Sequence, residues 1–154
     1  MARAKEKPGT ARYADYKTDF QQWSVDQAEL LRSGNMHAID LPNVIEELES
    51  MGREQEHALA SFYRVLLIHL LKWVHQPSKR TRSWSNTIGR ERANIEDRED
   101  MNRSLAGRAE ELVTWAYPRA VRDAARETGL PRTAFPKTCP YTLDQLRNPD
   151  FLPE

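Results

Sequence analysis

The stretch that most constrains this chain is "DLPNVIEELESMGREQEHALASFYRVLLIHLLKWVHQP", from Asp40 to Pro77. Ile45, Leu48, Leu59, Phe62, Leu66, Leu70 and Trp73 recur at the spacing of one helix face. The stripe stays in phase through Gly52, so one long helix is expected, with a bend at the glycine. Asp40 is placed to cap it, Pro42 falls in the first turn where proline is tolerated, and Pro77 stops it. From Val65 to Leu71 the helix is apolar nearly all the way round. Such a segment must be surrounded by other helices, and the rest of the chain has to supply them.

It does. In residues 18–34, Phe20, Trp23, Leu30 and Leu31 share a face, Thr18 and Gln21 have capping-box spacing, and Gly34 is placed to end the helix. In residues 78–100, Ser78 is the expected cap, and Trp84, Ile88, Glu91 or Arg92, and Ile95 follow one face. The short connection through Gln76 and Pro77 makes these two helices an antiparallel hairpin. A fourth helix is expected over residues 104–129, on a stripe of Leu105, Leu112, Val113, Ala116, Ala120, Val121 and Ala124. Gly129 would end it and Pro118 would kink it.

The tail, "LPRTAFPKTCPYTLDQLRNPDFLPE", is punctuated by proline. It leaves room only for a short helix, with Thr142 and Gln145 at capping-box spacing. Leu130, Phe135, Tyr141, Leu146 and Phe151 could pin it across the bundle. No alternation of period two marks a strand. The expected fold class is therefore all-α. It is a bundle of about four main helices, with a long central second helix and a proline-rich C-terminal tail carrying a short helix. Residues 1–12 read as a flexible lead-in, and residues 13–154 as a single all-helical domain.

Several of these segments together resemble a known family. "YKTDFQQW", "NVIEELESMG", "LLIHLLKWVHQPSKRTRSW", "ETGL" and "FPKTCPYTLDQL" followed by "FLPE" are similar to the bacterial domain of unknown function 29. The similarity runs in order from about Tyr16 to Glu154. His69, Lys72, Trp73, Gln76, Pro77, Ser83 and Trp84 match its most recognisable segment. The resemblance implies an all-helical bacterial domain, and it implies no reaction, substrate or partner.

Charge narrows the function classes. Lys plus Arg and Asp plus Glu both number 23, so no global field draws the chain to nucleic acid or an anionic membrane. The longest apolar run falls far short of the roughly 20 residues of a membrane span. The N-terminus has no apolar core of a signal peptide. A single cysteine, Cys139, permits no intramolecular disulfide, and a cytoplasmic protein is expected.

Locally the charge is segregated. Residues 72–92 carry Lys72, Lys79, Arg80, Arg82, Arg90 and Arg92 against Glu91, a net of +5. Residues 43–56 have a net of −4, and residues 93–101 a net of −3. Lys79, Arg80 and Arg82 lie near a helix N-terminus, where the dipole disfavours them, as it disfavours Glu96 to Asp100 at the other end. Internal pairing is one explanation, with Arg103 or Arg108 answering the acidic end and the tail's carboxylates the basic end. An external anionic partner is the other.

His69 sits on the inward side of the long helix, beside Phe62, Leu66, Leu70 and Trp73. It reads either as a core histidine satisfied by a backbone carbonyl or Ser83, or as a general base in a pocket. Glu54-x-x-His57 has the spacing of a bundle metal ligand pair, but no second copy exists. No metal or cofactor is expected. Cys139 has no histidine beside it in sequence and reads as a packed thiol. Phosphate-binding glycine loops and the Gly-x-Ser-x-Gly elbow are lacking.

The leading expectation is a non-catalytic protein-binding module. It uses Lys72, Trp73, Lys79, Arg80, Arg82, Trp84, Arg90 and Arg92, and of these residue types Arg and Trp are the ones interface hot spots are enriched in. The alternatives are nucleic-acid binding through the Lys79–Arg92 patch and an unrecognised enzyme built around His69. A homodimer would cover any surplus of Leu and Trp stripe beyond one core.

Overall fold

Four long helices and two short ones carry the described residues, 13–154, of the computed structural model, and no strand occurs among them. The lead-in expected at residues 1–12 lies outside the described residues. The helices are α1 (Phe20–Arg32), α2 (Leu41–His75), α3 (Arg82–Met101), α4 (Arg103–Ala106), α5 (Ala109–Thr128) and α6 (Leu143–Arg147). The all-α class and the long second helix are as the sequence requires. The chain divides between Met51 and Gly52 into two compact units, and α2 runs unbroken through that point.

The first unit holds α1 and the opening turns of α2. Asp19, not Thr18, caps α1 by accepting from the Gln22 amide at 3.1 Å. Thr18 belongs to the preceding turn, where its own amide bonds Asp15. At the other end Gly34 takes φ +71°, while the Asn35 amide reaches back to Leu30 and the Gly34 amide to Leu31, a Schellman closure. Trp23, Gln27 and Leu30 are buried. Trp23 Nε1 donates to the Asp40 carboxylate (3.1 Å), and the Asp40 amide donates to Gln27 (2.8 Å). Phe20, Leu31, Ile45 and Leu48, expected on buried stripes, are exposed instead. Two helices share only one seam, so a stripe wider than that seam faces outward.

The second unit is a bundle of the rest of α2 with α3 and α5. Its core is built from Leu59, Tyr63, Leu66, Leu67, Leu70 and Leu71 of α2, Ile88 and Ile95 of α3, and a row of small α5 residues ending in Ala120 and Ala124. Cross-links give the directions. Tyr63 meets Glu99 and Lys72 meets Trp84, so α3 is antiparallel to α2. Arg64 meets Asp123 and Lys72 meets Glu127, so α5 returns parallel to it. The expected fourth helix is two. A turn at Gly107 and Arg108 separates α4 from α5, which then runs through Pro118 without interruption.

The tail packs on this bundle through buried Phe135 and Leu146. Its short helix α6 carries the full capping box: the Gln145 amide donates to Thr142 Oγ1 (3.2 Å) and the Thr142 amide to Gln145 Oε1 (3.0 Å). Gly129 closes α5 in the left-handed region, φ +74°.

Candidate functional site

The tip of the α2–α3 hairpin gathers Lys72, Lys79, Arg80 and Arg82, four of the six cations of residues 72–92. Pro77 cannot continue α2, so Pro77–Lys79 turns as a single 3₁₀ element. That displaces the cap of α3 from Ser78 to Thr81, whose hydroxyl accepts from the Trp84 amide at 3.3 Å. The turn thus places Lys79, Arg80 and Arg82 on its exposed outer side.

Two cation–aromatic contacts brace it. Lys72 Nζ lies 4.6 Å from the Trp84 ring centre, and the Arg80 guanidinium 5.0 Å from that of Trp73. Lys72 also pairs with Glu127 at 2.7 Å, and Arg80 Nε donates to the Trp73 carbonyl at 2.8 Å. Both tryptophans are half-buried. Among the described residues, Lys79 and Arg82 form no ion pair.

The remaining cations are placed differently. Arg90 pairs with its buried neighbour Glu91 at 2.9 Å. Arg92 is itself buried, and its guanidinium donates to the carbonyls of Leu146 (2.9 Å), Gln145 (3.2 Å) and Pro149 (3.4 Å). Burial lowers its pKa, but those three carbonyls suit a charged donor. Arg92 therefore fixes the tail rather than facing outward. At the acidic end Asp100 meets Arg103 (3.7 Å) and Glu56 meets Arg108 (3.5 Å).

His69 Nδ1 is 3.0 Å from the Val65 carbonyl, one turn back on its own helix. A carbonyl only accepts, so the proton sits on Nδ1. Burial holds the ring below the ordinary histidine value, and the nearby Lys72 charge acts in the same direction. The described ring bond thus goes to backbone and not to a carboxylate. Cys139 Sγ lies 3.5 Å from the Tyr141 carbonyl, and burial raises its thiol pKa, which favours the protonated form. Burial also pushes the Tyr141 hydroxyl up to about 12. Among the described residues no group of three or more His, Cys, Asp or Glu is placed to hold a metal ion. Nor is any helix long and apolar enough to cross a membrane.

Residues 16–152 match the family model described as Domain of unknown function DUF29. This chain belongs to that family. No curated protein and no solved structure matches it.

Three polar groupings in this DUF29 chain were not singled out as sites by sequence, although Arg108 answering the acidic end was an expected pairing. A groove of about 290 Å³ lies between Glu56, His57, Arg108, Leu112 and Trp115. Arg108 there is shared by Glu56 and Glu111, so it offers no free charge to an anion. Asp123 is almost fully buried. Burial alone would raise its pKa, but Arg64 and Arg122 outweigh this and hold it below the carboxylate range. Tyr63, Glu99 and Arg147 form the third, joining α2, α3 and α6. The only local signals were Arg108 with Glu111, and Trp115 with Arg119, at helical spacing.

Proposed function

We propose that this chain is a non-catalytic helical binding module for another protein, with the hairpin tip as its contact surface. The observation that carries this reading is a pair of exposed cations, Lys79 and Arg82, with no ion pair among the described residues, beside two half-buried tryptophans on a braced turn. A rigid turn loses little entropy on docking, and Arg and Trp supply contact energy efficiently. An acidic partner surface fits the tip's sign. Nucleic acid is a weaker fit. Arg92 is buried, Lys72 and Arg90 are paired, and a patch reduced to three outward cations releases few counterions. His69, whose ring bond goes to its own helix, gives little support to acid–base chemistry.

The test reverses charge where no fold contact is lost. A Lys79→Glu, Arg82→Glu variant keeps Arg80, which braces the turn. Tagged wild type and variant are crosslinked in the native host and their captured proteins compared quantitatively. A protein retained by wild type and lost from the variant, with unchanged circular dichroism, supports the reading. Identical capture profiles would sink it.

A further inference from the structure

The first unit carries a surface of opposite chemistry. Among the described residues eleven large hydrophobic side chains are exposed, and eight of them lie between Phe20 and Met51. Only Trp23 and Leu30 are buried hydrophobics in that segment. Four of the eight form one stripe on α2: Leu41, Ile45, Leu48 and Met51, each between 46 and 63 % exposed. At helical spacing they lie within about 120° of one another, an arc that also takes in the half-buried Val44, while the half-buried Asn43 and Glu47 fall outside it. Single exposed apolar residues are ordinary, whereas a four-residue aligned stripe is the form in which helices are recognised.

The charge around this stripe selects its occupant. Residues 13–51 hold Lys17 and Arg32 against Asp15, Asp19, Asp26, Glu29, Asp40, Glu46, Glu47 and Glu49, a net charge of −6. Adding residues 1–12 still leaves −3. Several of these carboxylates bond neutral donors, which do not cancel charge. Asp26 accepts from Gln22 and the Ala14 amide, Asp40 from Trp23 and Asn43, and Glu47 from the Tyr16 hydroxyl. A second copy brought to this face would set −6 against −6. A cationic helix would meet both features at once, its apolar side on the stripe and its Lys or Arg side near the carboxylates.

We infer that the exposed stripe Leu41, Ile45, Leu48 and Met51 is a docking face for a basic amphipathic helix of a partner protein. This surface is distinct from the hairpin tip, and it stands or falls without it.

The test uses the full chain and a fluorescein-labelled 18-residue peptide of Leu and Lys arranged with helical periodicity. The control is a scrambled peptide of the same composition. Fluorescence anisotropy should show saturable binding of the periodic peptide, weakened by salt, and at least about tenfold weaker binding of the scrambled one. An Ile45→Ser, Leu48→Ser variant should lose about tenfold or more in affinity while keeping its circular dichroism and unfolding midpoint, because both side chains are exposed. The Lys79→Glu, Arg82→Glu variant should bind the peptide as wild type does. Equal binding of the two peptides, or binding untouched by the stripe variant, overturns the inference. So does sedimentation showing a dimer that the stripe variant dissociates, because a second copy then covers the face.

Discussion

The Tyr63 hydroxyl donates to Glu99 over 2.7 Å, joining α2 to α3 within the bundle core. Arg147 reaches the same carboxylate from α6 at 3.0 Å, so three segments converge on Glu99. Burial and the Glu99 carboxylate together raise the Tyr63 pKa, which keeps the hydroxyl a donor throughout the neutral range. Tyr63→Phe removes that donor and leaves Glu99 held by Arg147 alone. The expected loss is about 1–2 kcal/mol in urea unfolding. Glu99→Leu, which strands the buried Tyr63 hydroxyl and leaves Arg147 only the Ala106 carbonyl, should cost more. Equal stability of Tyr63→Phe and wild type would remove Glu99 from its linking role.

Arg92 should govern how the tail is held. Its three carbonyl acceptors all lie in residues 145–149. Arg92→Ala breaks them together and leaves the buried Leu146 carbonyl without that donor, for an expected loss of about 2–4 kcal/mol. Arg92→Lys keeps the charge but not the fork of donors, and should recover only part. Hydrogen exchange supplies a local reading: amides of α6 should exchange faster in Arg92→Ala, while those of α5 change less. Uniform acceleration across the bundle would show that the tail is not separately held.

His69 should contribute a pH-dependent part of stability. Its folded pKa is lowered, so the unfolded chain binds the proton more readily. Stability is then full above the ordinary histidine value and falls as pH drops through about 6.5 toward the lower folded value. Urea midpoints measured from pH 5 to 8 should rise with pH for wild type and less steeply for His69→Gln. Parallel curves would show that His69 contributes nothing to the slope. A ring nitrogen titration by NMR should also find the neutral Nδ1–H tautomer.

The glycines divide by backbone conformation. Gly52 in α2 and Gly89 in α3 are exposed helix residues whose added Cβ would meet nothing. Gly52→Ala and Gly89→Ala should each stabilise by about 0.5–1 kcal/mol. Gly129 closes α5 at φ +74°, so Gly129→Ala should destabilise by about 1 kcal/mol despite open space around it. Thermal unfolding of the three variants checks the sign of each.

Much of the fold was legible because its signals are local. Pro77 stops α2, Thr142 and Gln145 box the start of α6, and Gly129 ends α5, each within a few residues of its effect. The misplaced starts have local reasons too. A 3₁₀ turn after Pro77 moved the α3 cap to Thr81, and Asp19 outcompeted Thr18 at α1. The stripe on α2 was legible as periodicity but not as burial. Leu59 and Leu48 look alike in sequence, yet one is sealed and the other exposed, because only the second unit surrounds α2 with other helices.

The sequence by itself determined the all-helical class, the long α2, the hairpin into α3 and the capped tail helix. Periodicity, proline and capping act over single turns and need no distant partner. Only the tertiary structure decided which cations remain outside. Lys79 and Arg92 belong to one basic segment, but Arg92 meets the Leu146 carbonyl 54 residues away and is buried, while the Lys79 side chain, exposed, forms no ion pair among the described residues. A hydrogen bond between residues so far apart leaves no periodic trace in the sequence, since chain folding alone brings them together.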